Sequence, residues 1–76
     1  MFKKFHSFTV FGNKLEGVLT ILGTYGVMAE RITIVIPERT YRRYHISVRV
    51  NRKQWDEIKN AIYANSQIGG ACSDFN

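Results

Sequence analysis

The clearest helical period lies in the last third of the chain, where Trp55, Ile58 and Ile62 recur at i, i+3 and i+7 while Asp56, Glu57, Lys59 and Asn60 take the other faces. Asn51 can cap that helix, Gln54 stands three residues on as in a capping box, and Val50 and Trp55 are spaced for a hydrophobic staple. The pattern predicts a helix over 52–64, fraying near Asn65. Beyond it, Ser66 to Asn76 has no period and contains Gly69-Gly70, so residues 66–76 are expected as a flexible or loosely docked tail behind a single domain at 1–65.

Two runs upstream, Arg31 to Ile36 and Tyr41 to Val50, are rich in β-branched and aromatic residues and flank Pro37-Glu38-Arg39-Thr40. They read as a β-hairpin. Alternation places Ile32, Ile34 and Ile36 on one face of the first strand and Tyr44, Ile46, Val48 and Val50 on one face of the second, both expected against the helix. The opposite face carries Arg31, Thr33 and Val35, then Arg43, His45, Ser47 and Arg49, which is polar and basic.

The N-terminal third admits two readings. Phe5 to Phe11 is a strand in both. Gly12-Asn13 then serves either as a hairpin turn into a strand through Val18-Leu19-Thr20-Ile21, or as the approach to a short helix in which Leu15, Val18, Leu19 and Leu22 follow a 3.6 period. Gly17 disfavours a helix interior by about 1 kcal/mol, which tips the balance to the strand. The expected fold is therefore α+β, a four-stranded antiparallel meander with one C-terminal helix on one face (ββββα). The alternative is βαββα, related to a truncated ferredoxin-like pattern.

Length and composition narrow the classes. Seventy-six residues suffice for one core, and 45% hydrophobic residues exceed what a disordered chain carries. Apolar content is in surplus: Phe2, Phe5, Phe8 and Phe11 recur every three residues, more than one helix can cover. Self-association through Phe5, Phe8 and Phe11, as a homodimer, is one outlet for that surplus. The start lacks the apolar core of a signal peptide, and Val18 to Met28 falls short of the roughly 20 residues that cross a bilayer, so no membrane role is expected. A lone Cys72 rules out an intramolecular disulfide and points to a reducing, cytoplasmic setting.

Charge is the most informative feature. Eleven Lys and Arg against six Asp and Glu give +5, and six of the eleven (Arg39, Arg42, Arg43, Arg49, Arg52 and Lys53) fall in fifteen positions without an acidic residue. With His45, they form the candidate partner-binding set. Arginines can grip phosphates while Tyr41, Tyr44 and His45 between them offer rings for stacking, a combination suited to nucleic acid. Arg52 and Lys53 in a first helical turn oppose the helix dipole, so an anion there is a plausible complement, unless Asp56 and Glu57 neutralise them.

Catalytic readings are weak. His6, His45 and Cys72 lack metal-ligand spacing, Cys72 sits in a glycine-flanked tail, and the glycines at 12, 17, 23 and 26 fit neither a phosphate loop nor a dinucleotide fingerprint. No enzyme activity, metal or cofactor is expected. Val10 to Leu15 shares residue types with the first strand of RNA-recognition modules, but one residue out of spacing and without a second aromatic motif, so no family is assigned. A ribbon-helix-helix arrangement needs a second helix, which fourteen residues after Ile62 with a glycine pair do not supply. The leading expectation is a small basic binding module for an anionic partner, most simply nucleic acid. The rival is a compact virus-type regulator or inhibitor that binds the acidic surface of a larger host protein.

Overall fold

A computed structural model describes residues 3–38 and 42–76. The order is β1 (Lys4–Phe11), α1 (Leu15–Thr24), β2 (Arg31–Ile36), β3 (Arg43–Val50), α2 (Arg52–Ala64) and β4 (Cys72–Ser73), with 3-10 turns leading into α1 and β4. The four strands form one antiparallel sheet in the order β2-β3-β1-β4. Because β1 and β2 both run antiparallel to β3, they are parallel to each other with β3 between them. By the same logic β3 and β4 are parallel with β1 between. Two interleaved split βαβ units of this kind are the ferredoxin-like pattern.

The mixed α+β class and the four-stranded antiparallel sheet agree with the sequence reading, but the ββββα meander does not. Residues 15–24 are a helix, and the helix over 52–64 is the second of two and precedes β4. The α1 period turns Val18 and Leu22 fully inward, with Leu15, Leu19 and Ile21 packed beside them. A Schellman motif ends α1: the Gly26 N–H donates to the Gly23 carbonyl at 3.0 Å and the Val27 N–H to the Leu22 carbonyl at 2.9 Å. Gly26 takes the left-handed φ of 70° that this turn requires. Gly17, the residue that argued against a helix, has Ile68 against its bare Cα, where a Cβ would come within 2.6 Å of the Ile68 Cδ1.

The cap of α2 forms as its sequence implies. The Asn51 side chain accepts from the Gln54 N–H at 2.8 Å, and the Gln54 side chain accepts from the Asn51 N–H at 3.3 Å. Trp55, Ile58 and Ile62 are buried with Phe8, Val10, Ile46, Val48 and Val50 in one core. Ile34, expected in that core, is 51% exposed and Ile32 43%, because β2 is the outer strand and the helices cover the inner ones. A bulge between Ile34 and Ile36 also sets Ile36 opposite Arg43, out of step with Ile32 and Ile34.

Residues 66–76 pack onto the domain. Ile68 and Cys72 are buried, β4 pairs with β1 at Thr9 and Val10, and the Asn76 N–H donates to the Ser7 carbonyl at 2.9 Å. Asp74, with a φ of 56°, turns the chain so that Phe75 stacks on Phe8 with ring centroids 5.2 Å apart. No helix among the described residues is long and apolar enough to cross a membrane.

Candidate functional site on the open face of the sheet

Strand alternation divides β1 and β3 between two environments. Phe8 and Val10 of β1, with Ile46, Val48 and Val50 of β3, face the helices and are buried. Phe5, Ser7, Thr9 and Phe11 face the other way and lie directly across from Arg49, Ser47, His45 and Arg43. Arg31 and Thr33 of β2 extend that second face, opposite Ser47 and His45. Neither helix covers it: Phe5 is 67% exposed, and Arg31, Thr33 and Arg49 are exposed.

At each end of the β1/β3 pair an arginine lies over a phenylalanine. The Arg49 guanidinium is 5.9 Å from the Phe5 ring centroid and the Arg43 guanidinium 5.0 Å from that of Phe11. Between these ends the face is polar, with Ser7 opposite Ser47 and Thr9 opposite His45. Beside Phe5 a depression of about 320 Å³ is lined by Phe5, Glu30, Arg31 and Ser47.

The two arginines are not equivalent. Arg43 is half-buried and donates from Nη2 to the Ser73 Oγ at 2.6 Å and the Thr9 Oγ1 at 3.2 Å, lying across β1 to β4. Its Nε is buried without a hydrogen-bond partner among the described residues. Arg49 is solvent-exposed, with its charge available to a ligand.

The predicted partner-binding residues separate into groups. Arg43, His45 and Arg49 share the open face, whereas Arg42 precedes β3 and donates to the Pro37 carbonyl at 3.4 Å. Arg39 and Tyr41 lie outside the described residues. Arg52 and Lys53 sit at the start of α2, in the helical layer, so they do not extend the basic face. There Arg52 pairs with Asp56 at 3.3 Å, and Asn51 already occupies the Gln54 N–H. The neutralising role weighed for Asp56 therefore holds for Arg52. Tyr44, expected as a stacking ring, pairs with Ile34 and Val10 and packs on the core.

Phe5, Phe8 and Phe11 do not form one self-association stripe. Phe8 is wholly buried between its neighbours on the helical side, and only Phe5 and Phe11 reach the open face. A three-residue spacing crosses from one side of a strand to the other, so it could not have kept all three together. The sequence reading placed Arg31 on the basic face with the arginines of β3, but missed that Phe5 and Phe11 join them there. Phe5 and Phe11 have the same parity as Ser7 and Thr9, and that alternation was the available signal.

Burial pushes the Cys72 thiol from its ordinary 9.0 up to about 11, which keeps it protonated and poorly nucleophilic near neutral pH. No cluster of three or more potential metal ligands occurs among the described residues. No protein-family model and no curated protein sequence matches this chain.

Proposed function

We propose that the protein is a non-enzymatic nucleic-acid-binding module whose working surface is the open face of the sheet. The observation that carries this reading is the gathering of Arg31, Arg43, Arg49 and His45 with two aromatic rings on the one sheet face that no helix covers. Arginines supply the salt-sensitive hold on phosphates, and a flat sheet lets a backbone run across them. The excess of positive charge across the chain favours the same class of partner.

The test is binding of fluorescent oligonucleotides followed by anisotropy across a salt series. Contacts to about three to five phosphates predict a slope of roughly −2 to −5 in log affinity against log salt. Arg31→Glu together with Arg49→Glu should remove most binding and leave the melting temperature near that of the parent, since both side chains are exposed. Arg43 is unsuited to charge reversal because its hydrogen bonds tie β3 to β4. Absence of binding to any DNA or RNA at low salt refutes the proposal.

A second reading, a compact regulator that docks on a larger protein or on another copy of itself, is favoured by β2. This outer strand leaves Ile32, Ile34 and Val35 each more than two-fifths exposed beside an unpaired edge. Light scattering that showed a dimer broken by Ile34→Lys would support the version with a second copy.

A further inference from the structure

The open face repeats one arrangement twice. Phe5 lies beneath Arg49 and Phe11 beneath Arg43, each pair directly across the β1/β3 ladder, with only serine, threonine and histidine positions between them. The two rings are six positions apart along β1, a distance of about 20 Å. An aromatic side chain with two-thirds of its surface in water gains little from the core, and Phe5 faces away from that core altogether. Arg49 across from it and Arg31 beside it outnumber the one nearby carboxylate, Glu30, and this excess of positive charge opposes covering the face with a second, identical one.

We propose that Phe5 and Phe11 are stacking platforms for the bases of a single-stranded nucleic acid laid along β1. This rests on the nucleic-acid reading above and adds the form of the ligand and how it is held. Every base offers a π-face to an aromatic ring, and a single strand presents those faces where a duplex hides them within its stack. An arginine at each ring can meet the phosphate adjoining the stacked base or extend the stack through its guanidinium plane. Between the platforms, Ser7, Ser47 and His45 would lie under the intervening sugars and phosphates, whereas Thr9 is buried beneath Arg43, Ser73 and Asp74. A span of this length suits a site on the order of four nucleotides.

The two platforms differ in strength. Phe5 borders the depression formed with Glu30, Arg31 and Ser47, so a base placed on it is flanked as well as faced. Phe11 is 37% exposed and its arginine is committed to Ser73, so it offers a smaller and more rigid platform. Phe5 should therefore dominate.

The experiment compares a labelled single-stranded oligodeoxythymidylate with a duplex of equal length, using the parent chain, Phe5→Ala, Phe5→Trp and Phe11→Ala. The single strand should bind at least about tenfold more tightly than the duplex. Phe5→Ala should weaken single-strand binding by roughly 5- to 150-fold, Phe11→Ala by less, and Phe5→Trp should retain it. The salt slope should be unchanged in Phe5→Ala, because that substitution removes a stacking partner and no phosphate contact. Circular dichroism of each variant checks that the fold is kept.

Equal affinity for single strand and duplex, or a Phe5→Ala variant that binds like the parent, overturns the platforms while leaving the phosphate-gripping face intact. Failure of every oligonucleotide to bind at low salt overturns both. Concentration-dependent self-association abolished by Phe5→Ala, without oligonucleotide binding, would assign the face to a second copy instead.

Discussion

Replacing Gly17 with alanine sets two effects of similar size against each other. Alanine in a helix interior is favoured over glycine by about 0.8–1.0 kcal/mol. The new methyl would lie 2.6 Å from the Ile68 Cδ1 and 3.3 Å from its Cγ1, where carbon atoms pack best at about 3.5–4.0 Å. The Ile68 main chain is held by bonds from its N–H to the Asn65 carbonyl at 3.1 Å and the Asn65 side chain at 3.2 Å, so relief must come from turning Cδ1 within a buried, packed site. Overpacking of this kind costs about 1–3 kcal/mol, so Gly17→Ala should be destabilising by up to about 2 kcal/mol despite the better helix former. Ile68→Val removes the clashing Cδ1 at a cost of about 0.5–1.5 kcal/mol in the parent. In the Ile68→Val background the alanine should stabilise, which gives the double-mutant cycle a coupling energy of about 1–3 kcal/mol. Thermal melts followed by circular dichroism resolve this, because 1 kcal/mol shifts the midpoint of a domain this size by about 4–8 °C. If Gly17→Ala raised the melting point by the same several degrees in the parent and in the Ile68→Val background, residue 68 would not pack on α1.

Two further expectations follow from the core and the tail. Trp55→Ala should cost about 3–5 kcal/mol, since Trp55 is 2% exposed and packs by His6, Phe8 and Phe75; a melting point within a few degrees of the parent would contradict the aromatic cluster. Cys72 should react with iodoacetamide far more slowly in the native chain than in urea at mildly alkaline pH, and equal rates would contradict its burial. With a native value of about 11 against 9.0 in the unfolded chain, the unfolded state releases its proton first. The stabilisation from the buried neutral thiol is thus complete below about pH 9 and is lost progressively toward about pH 11.

Elements whose signals are local were legible in the sequence. The Asn51/Gln54 box and the Trp55, Ile58, Ile62 period fix α2 through contacts within a turn or two, so its bounds and buried face could be read without the rest of the chain. The misreading of 15–24 came from a long-range cause. Gly17 weakens the helix locally, and its reason for being there, Ile68, lies fifty-one positions along the chain in a tail that carries no period. A local signal was nevertheless present, since Tyr25-Gly26-Val27 supplies the left-handed glycine and following apolar residue of a helix stop. The candidate site was half legible for a related reason. Alternation within β3 placed Arg43, His45 and Arg49 together, but the pairing of β3 with β1 joins residues 32 to 46 positions apart, and that pairing brings Phe5 and Phe11 to the arginines.

The same pairing changes the meaning of the apolar surplus. Leu22 and Val18 are absorbed by a helix that packs inward, and Phe8 by Trp55 above it and Phe75 from the tail. Tyr25, Met28 and Tyr63 are exposed outside the strands, while on the sheet what stays exposed collects in two places, Phe5 and Phe11 among cations on the open face and Ile32, Ile34 and Val35 on β2. These ask for different partners. Rings among arginines suit a polyanion that also carries flat apolar faces, whereas branched aliphatics on an outer strand suit another protein surface. The bulge at β2 limits how far a second strand could pair along its edge, and Pro37 directly beyond β2 has no N–H to offer such a partner. The open face carries no such obstacle, its strands being fully paired to each other and its charge uniform in sign along β3. Among the two uncovered surfaces it is therefore the better-defined platform for a ligand, and β2 the better candidate for whatever protein contact accompanies it.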